Sequence, residues 1–316
     1  MSNASANRAE LRYVAEVTFG TTPASPALKY LRFKGETLNP GFETVRSDEI
    51  RADRSDQDII KVGAKAAGNV EIELSYGSYD DLLEAVMCNT WVVDGVDTDK
   101  FTLVNGVVDK FFTIQKKLSD VTQFFNFTGS KINTFNCQIA PGAIVTGTFG
   151  VMARAGARTG SQFGGATTPA GTTTTPMNGS SGVTVNTIDT LAIPGGLMNF
   201  SLSINNNRRE QDAVGSDLAQ DIVMGRFEAT GDFEVYFADG TLFDKLAAQT
   251  PFAFQTKMAG PGTTNEIWID IPKAKFESGE VVASGTDTDV MFKATYRALF
   301  DTTTGGSLKL TRNGPL

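Results

Sequence analysis

The chain contains two copies of one local pattern, and this duplication limits the folds that it can adopt. Residues 68–85 (GNVEIELSYGSYDDLLEA) and residues 231–248 (GDFEVYFADGTLFDKLAA) align without a gap. In each copy apolar and polar residues first alternate, which predicts a strand with one apolar and one polar face. A glycine follows, and apolar residues then recur at helical spacing. Each copy therefore predicts a strand, a glycine turn and a short helix.

The same pattern predicts which side chains lie in the core and where each helix begins. Ser78 and Thr241 are suitable N-cap residues, and each has an aspartate three positions later, Asp81 and Asp244. The polar residues of the two strands should point away from the core. The core-facing residues of the two strands are predicted to be Val70, Ile72, Leu74, Phe233, Val235 and Phe237.

Further strands are predicted after each helix. In the first copy, residues 101–104 and 107–115 flank Asn105-Gly106, a pair typical of the type I′ turn of a hairpin. The second copy has residues 252–258 and 266–271 in the same place. Late strands are expected at residues 145–151 and 290–298 because apolar residues alternate there. The predicted fold is mainly β, with two tandem β-sandwich or barrel-like domains that each carry one short α-helix.

Composition divides the chain into four predicted segments. Residues 1–30 form an N-terminal arm, residues 31–152 the first domain and residues 191–316 the second. Residues 153–190 lie between the domains and are dominated by Gly, Thr, Ser and Ala. Such a segment buries too little apolar surface to order alone. Two interpretations stay open for it: a slack linker, or a segment that orders along a neighbouring subunit.

Residue usage argues against most catalytic chemistry. The chain has no histidine, so the common nucleophilic triads and imidazole metal sites are absent. Cys88 and Cys137 lie far apart and are interpreted as buried, inert thiols. The charged run at residues 47–58 lacks the glycine and glutamate of a calcium loop. Glu71 and Glu73 share one strand face and are interpreted as its polar side, not as a glycosidase pair. We therefore expect no catalytic, cofactor-binding or metal-binding residues.

Three motifs follow one another in the N-terminal third. They are residues 12–26 (RYVAEVTFGTTPASP), residues 31–38 (LRFKGETL) and residues 43–54 (ETVRSDEIRADR). They resemble the opening of the tail tube proteins of long-tailed bacteriophages, in which a Gly-Thr-Thr-Pro turn leads into an LRxxGE(S/T)L strand and an ETxxSxEIRxDR loop. The matching residues are Gly20, Thr21, Thr22, Pro23, Gly35, Glu36, Leu38, Glu43, Thr44, Ser47, Glu49, Ile50, Arg51, Asp53 and Arg54.

The resemblance implies a structural virion protein that polymerises as stacked rings around a channel for DNA. It implies self-association, DNA and a tape measure protein in the lumen, and tail terminator and tail tip proteins at the ends. Assembly would take place in the host bacterial cytoplasm, with no membrane insertion, since no segment is apolar enough to span a bilayer. Two domains per chain predict a trimeric ring with pseudo-sixfold symmetry, with a hexamer as the alternative.

Two sets of residues follow from this interpretation. Glu71, Glu73 and Glu234 lie on the polar strand faces and are expected to line the lumen, where the net charge of −8 suits a wall that repels phosphate. The charged loops at residues 47–58 and 206–221 are expected to meet neighbouring subunits. The predicted inter-subunit residues are Arg51, Asp53, Arg54, Arg208 and Arg209.

Two other classes of protein stay open at this stage. The first is another virion component, such as a head-decoration or tail-terminator protein, or the tube of a contractile secretion apparatus. The second is an enzyme that cuts surface polysaccharide. Enzymes of that kind usually present aromatic clefts, whereas Trp91 and Trp268 are the only tryptophans and lie at or near predicted strands.

Overall fold

β-Strands dominate the computed structural model, which describes residues 3–163, 166–168, 170–260 and 265–314. Strands account for 53% and helices for 6% of the structure, so the mainly-β prediction is confirmed. The first half contains a 3₁₀ turn (Ala6–Arg8), β1 (Ala9–Ala15), β2 (Lys29–Leu31), β3 (Gly35–Glu36), β4 (Asn39–Arg46), β5 (Ile59–Glu73), α1 (Asp80–Met87), β6 (Val92–Val93), β7 (Lys100–Val104), β8 (Phe112–Leu118), β9 (Gln123–Ile139) and β10 (Thr146–Thr159). The second half contains β11 (Val183–Ile188), β12 (Leu191–Ala192), β13 (Leu197–Asn205), β14 (Arg209–Gln211), β15 (Asp221–Val223), β16 (Glu228–Tyr236), α2 (Thr241–Ala247), β17 (Phe252–Ala259), β18 (Glu266–Ala283), β19 (Val290–Ala298) and β20 (Lys309–Asn313).

The two halves share one strand order. In the first half β4, β5, β10 and β9 pair in succession, and the early part of β9 continues through β8 and β1 to β2. In the second half β13, β16, β19 and β18 pair in succession, and β18 continues through β17 and β11 to β12. All these pairings are antiparallel. The duplication thus includes strands that the sequence comparison did not reach.

The shared strand order places equivalent strands in the two segments that were predicted to be an N-terminal arm and a linker. β1 lies within residues 1–30, and its counterpart β11 lies within residues 153–190. Part of the remaining linker packs on the first copy: Met177 is fully buried, and its backbone N–H donates to Leu74 O at 2.8 Å. These described parts are therefore held within the chain, and the domain boundaries stay a prediction.

The predicted alternation of β5 is confirmed. Val70, Ile72 and Leu74 are buried, while Glu71 is exposed and Glu73 is half-buried on the other face. Helix α1 covers the apolar face, because the side chains on one of its sides are apolar. Its buried residues are Leu82, Leu83, Ala85, Val86 and Met87.

The second copy is less well covered. Phe233 and Val235 are buried as predicted, but Phe237 is 38% exposed, so its placement in the core is wrong. β16 ends at Tyr236, one residue before Phe237, and α2 buries only Leu242. The apolar surface at this end of the second copy therefore lacks the cover that α1 and the linker supply to the first.

The predicted hairpin at Asn105-Gly106 is wrong. β7 pairs with β20 and β6, whereas β8 pairs with β1 and β9. The Asn105 side chain instead accepts hydrogen bonds from the backbone N–H groups of Ser307 and Leu308 at 2.8 and 3.1 Å. The strand from the C-terminal end of the chain takes the place that β8 would occupy in a hairpin. The corresponding pair in the second copy, β17 and β18, does form antiparallel neighbours as predicted.

The predicted N-caps are also wrong. The N-cap residues are Tyr79 for α1 and Gly240 for α2, and neither makes a side-chain cap bond. Ser78 instead hydrogen-bonds Ser75 at 2.7 Å and Thr172 at 2.6 Å, which ties the linker to the turn before α1. Thr241 is the first residue inside its helix. A hydroxyl in such a turn has other partners available, and tertiary contacts decide between them.

Candidate assembly interface

A seam between β9 and β13 joins the two copies within the chain, and β20 links them a second time by pairing with both β18 and β7. The late half of β9 pairs with β13 in the register Ile139 to Phe200, Cys137 to Leu202 and Phe135 to Ile204. All six of these side chains are buried. The sheet of the first copy therefore runs without a break into the sheet of the second.

Each end of this continuous sheet has an open edge. In the second copy, β13 pairs with β16 along one edge and with β9 along the other. The counterparts of β13 in the first copy, β3 and β4, pair only with β5, so their other edge is open. The late half of β9 pairs with β10 and β13, whereas the late half of β18 pairs only with β19. These statements hold for residues 3–163, 166–168, 170–260 and 265–314. Unpaired strand edges of this kind favour pairing with another chain.

Apolar side chains are exposed beside the open edge of β18. Val281 is 40% exposed, whereas Cys137, which holds the same position in β9, is 3% exposed. Val290 and Val145 differ in the same way, since Val145 is fully buried. The difference has a structural cause, because β13 covers the first copy at this point and nothing in the described part of the chain covers the second.

The carboxylates expected to line a channel share one side of the sheet. Glu71 pairs across the strands with Thr148, and Glu234 pairs with Lys293. The Lys293 ammonium lies 2.9 Å from Glu234 Oε1, so this carboxylate is neutralised locally. Within the described ranges no ion pair reaches Glu71 or Glu73. The exposed carboxylates Asp232 and Glu280 lie on the same face in the second copy, so both copies contribute negative charge to it.

The charged loop at residues 47–58 joins β4 to β5 at the tip of a long exposed hairpin, which we call the first arm (residues 42–62). Arg51 and Asp53, which are two residues apart within the loop, form an ion pair at 3.0 Å, and Arg54 adopts a positive φ of 62°. Phe42 on the arm is 65% exposed and Ile50 is fully exposed. The first arm therefore presents large apolar side chains to solvent.

The second loop, residues 206–227, carries β14 and β15 and is folded against the first copy. Arg209 is exposed, but Arg208 is buried: its guanidinium contacts Asp109 at 2.9 Å and donates to Ile132 O at 3.0 Å. The expectation that Arg208 meets another subunit is therefore wrong, since its charge is satisfied inside its own chain. A buried arginine of this kind requires a partner, and Asp109 supplies it.

A buried ionic cluster surrounds Arg208 at the seam. Lys131 on β9 is 2% exposed, and its ammonium contacts Asp109 at 2.5 Å and Asp221 at 2.8 Å. The ammonium also lies 4.6 Å from the ring centre of Phe19. Burial acts to raise the pKa of Asp221, but hydrogen bonds from Lys131 and from the Ile222 N–H outweigh it and lower that pKa.

Sequence reasoning missed Lys131, Asp109 and Asp221. The only available signal was a lysine within an apolar strand (GSKINTF), since a buried lysine needs a carboxylate partner. Its two partners lie on segments far apart in the sequence, so the pattern alone could not identify them.

Both cysteines are buried, as predicted, and burial raises the pKa of the Cys137 thiol to about 12. Over residues 3–163, 166–168, 170–260 and 265–314, no group of three or more Cys, Asp and Glu side chains is arranged to hold a metal ion. None of the helices in these ranges is long and apolar enough to cross a membrane.

A duplicated β-protein with matched open edges, a polar sheet face and a projecting arm has the properties of a subunit that assembles with copies of itself. The phage tail tube protein family matches residues 6–298 of the chain. The chain therefore belongs to the phage tail tube protein family, which makes it a structural protein of the virion tail. A comparison with curated proteins gives no match.

Proposed function

We propose that copies of this chain join head to tail into closed rings, and that the rings stack into the tail tube. The observation that carries this proposal is the seam between β9 and β13. The same two edge types, late β18 and β3–β4, are left open at the two ends of the chain. When two different surface patches of a subunit join one copy to the next, the copies close into a ring if the rotation between neighbours is a whole fraction of 360°. Ring closure removes both open edges.

Three chains complete the proposed ring. Each chain supplies two copies of the same four-strand unit, β4, β5, β10, β9 and β13, β16, β19, β18, so three chains give six units with pseudo-sixfold symmetry. The alternative is a ring of six chains, in which the duplication would have another use.

The sheet face that carries Glu71, Glu73 and Glu234 lines the channel in this proposal. Helix α1 packs on the opposite face and so lies toward the outside. An acidic wall repels phosphate and keeps DNA mobile during ejection into the host. The tape measure protein would occupy the same lumen before ejection. Tail terminator and tail tip proteins would close the ends of a tube assembled in the host cytoplasm.

In the same proposal the tip of the first arm and the exposed part of the second loop contact neighbouring subunits. Arg51, Asp53 and Arg54 lie at the exposed tip of the first arm, and Arg209 lies exposed on β14. A guanidinium can hold a carboxylate by two hydrogen bonds, which suits an interface.

Engineered disulfides test ring closure and count the chains. Asn39 on β4 and Glu280 on β18 hold the positions of Ser203 and Asn136, which lie directly opposite each other at the internal seam. Directly opposite residues have Cβ atoms about 4.5–5.5 Å apart, close to disulfide reach. We expect the Asn39→Cys/Glu280→Cys variant, oxidised after assembly, to give covalent dimers and trimers on denaturing gels and nothing larger.

The control pairs Asn39→Cys with Ser284→Cys, which places the second thiol about 13 Å further along the chain. That variant should remain monomeric on the gel. A ladder that continues to six chains would support the hexamer. Monomers alone from the Asn39→Cys/Glu280→Cys variant would contradict the proposed closure.

The lumen charge is tested by replacing Glu71, Glu73 and Glu234 with lysine. The change should leave tube length unchanged, because the three side chains are not buried in the core. It should slow DNA ejection by roughly tenfold, because lysine binds phosphate and because Lys293 loses its carboxylate partner. Time-resolved ejection from assembled virions measures the rate. The matched triple glutamine variant should eject at close to the normal rate, and an equal rate for the lysine variant would refute the lumen assignment.

A further inference from the structure

The second loop is a copy of the first arm. In the first arm Arg46 pairs across with Ile59 and Val45 with Ile60; in the second, Glu210 pairs with Ile222 and Arg209 with Val223. Local geometry repeats as well. Asp58 Oδ1 accepts a hydrogen bond from the Ile59 N–H at 2.7 Å, and Asp221 Oδ1 accepts one from the Ile222 N–H at 2.7 Å. Asp58 and Asp221 therefore hold equivalent positions, as do Arg46 and Glu210.

Within one chain, four ion pairs hold the second loop on the first copy: Arg208 with Asp109, Asp217 with Lys61 at 3.0 Å, and two more that involve Asp221 and Glu210. Asp221 contacts the Lys131 ammonium at 2.8 Å, and Glu210 contacts the Lys65 ammonium at 2.8 Å. Glu210 is largely covered, with its side chain 15% exposed. These contacts join β14 and β15 of the second copy to β9 and β5 of the first.

The position of Lys131 is occupied by Lys275 in the second copy. Strand pairing fixes this equivalence: Ala67, Met152 and Lys131 lie opposite one another in the first sheet, and Thr230, Arg297 and Lys275 do so in the second. Ala67 and Thr230 immediately precede the aligned glycines of the duplication. Lys131 has two carboxylate partners, whereas no ion pair joins Lys275 to any residue of the described ranges.

The position of Lys65 is occupied by Glu228 in the second copy, since Lys65 pairs with Gly41 and Glu228 with Asn205, the counterpart of Gly41. The position of Glu210 is occupied by Arg46. Both charges of this ion pair are therefore reversed in the second set of positions, so attraction is kept. In the single chain the ion pairs of these two residues are longer: Glu228 lies 3.4 Å from Arg297 and 3.9 Å from Arg226, and Arg46 lies 3.5 Å from Asp56 and 3.8 Å from Asp48.

We propose that Lys275 and Glu228 of one copy of this chain bind Asp58 and Arg46 of the next copy. This inference rests on the proposed ring. The first arm of the next copy then lies on the second half of the chain as the second loop lies on the first half. The charges are complementary in both pairs. The contact also gives the Lys275 ammonium and the exposed Asp58 carboxylate an ionic partner.

Charge reversal and rescue test the two ion pairs. Lys275→Glu, Asp58→Lys, Glu228→Arg and Arg46→Glu each place like charges together at the contact, which opposes association. We expect each to lower the fraction of protein in rings and tubes by about tenfold or more, measured by sedimentation and negative-stain electron microscopy. The double variants Lys275→Glu/Asp58→Lys and Glu228→Arg/Arg46→Glu should restore assembly. Lys275→Arg, which keeps the charge, should assemble normally.

The outcomes separate this inference from the function on which it rests. Monomer folding is checked by circular dichroism, since all four residues lie outside the core. If the unaltered protein forms tubes and every single reversal does so equally well, or if no double variant restores assembly, the ion pairs are refuted and the tube stands. If the unaltered protein forms neither rings nor tubes, the proposed function fails and this inference fails with it.

Discussion

Gly231→Ala is expected to prevent stable folding of the second half of the chain. A Cβ atom at this position would lie 1.9 Å from Ser201 O and 2.7 Å from Tyr296 Oη. Ser201 belongs to β13, whose backbone is fixed by pairing on both edges, so it has no room to move. Forced overlap with backbone in a packed sheet should cost more than about 3 kcal/mol of the free energy of unfolding. Urea denaturation of the monomer measures this loss.

The aligned glycine of the first copy gives a parallel test. A Cβ atom at Gly68 would lie 2.5 Å from Thr37 O, in the backbone segment that joins β3 to β4, so Gly68→Ala should also destabilise the fold strongly. Gly95 is the control, because no atom lies within 4 Å of its Cβ position. Gly95→Ala should leave the free energy of unfolding nearly unchanged. Unfolding free energies that are the same for Gly231→Ala and Gly95→Ala would contradict the proposed close approach of the strands.

Lys131→Met is expected to have the second largest effect, a loss of about 3–5 kcal/mol in the free energy of unfolding. Methionine keeps much of the side-chain volume but leaves Asp109 and Asp221 without the ammonium that contacts them. The control is Lys275→Met at the equivalent position, where no described carboxylate is paired. In the monomer that change should cost less than about 0.5 kcal/mol. Equal losses from the two variants would show that the buried cluster does not hold the copies together.

The same cluster predicts the direction of the pH dependence. Since the folded-state pKa of Asp221 is lowered, its ionised form contributes stability above the ordinary aspartate pKa of about 3.9. That contribution is lost as the pH falls through the lowered pKa. Acid titration of the unaltered monomer should therefore weaken the seam at the acid end, and Asp221→Asn should remove this part of the dependence.

Local periodicity predicted the elements whose pattern is self-contained. The strands at Val70 and Phe233 and the helices that follow them were visible because alternation and helical spacing are local properties. The hairpin predicted at Asn105-Gly106 does not form, because β20, a strand distant in the sequence, pairs with β7. The equivalence of β11 with β1 was not visible either, since their sequences differ and only the pairing with β17 and β8 reveals it.

The candidate interface shows the same limit. Charge composition identified the loops at residues 47–58 and 206–221, but it could not distinguish buried Arg208 from exposed Arg209. Burial depends on Asp109, which lies in a different loop of the first copy. Strand register identifies Asp58 and Arg46 as contact residues, because it shows that they occupy the positions of Asp221 and Glu210 in the other copy.

A three-dimensional reconstruction of the assembled tube by electron cryo-microscopy tests the central claim most directly. The predicted result is a ring of three chains with six similar units, in which the late half of β18 pairs with β3 and β4 of the next chain. Asn39 should lie opposite Glu280 at each of these seams, as Ser203 lies opposite Asn136 within the chain. A ring of six complete chains, or a ring in which these two edges remain unpaired, would contradict the account.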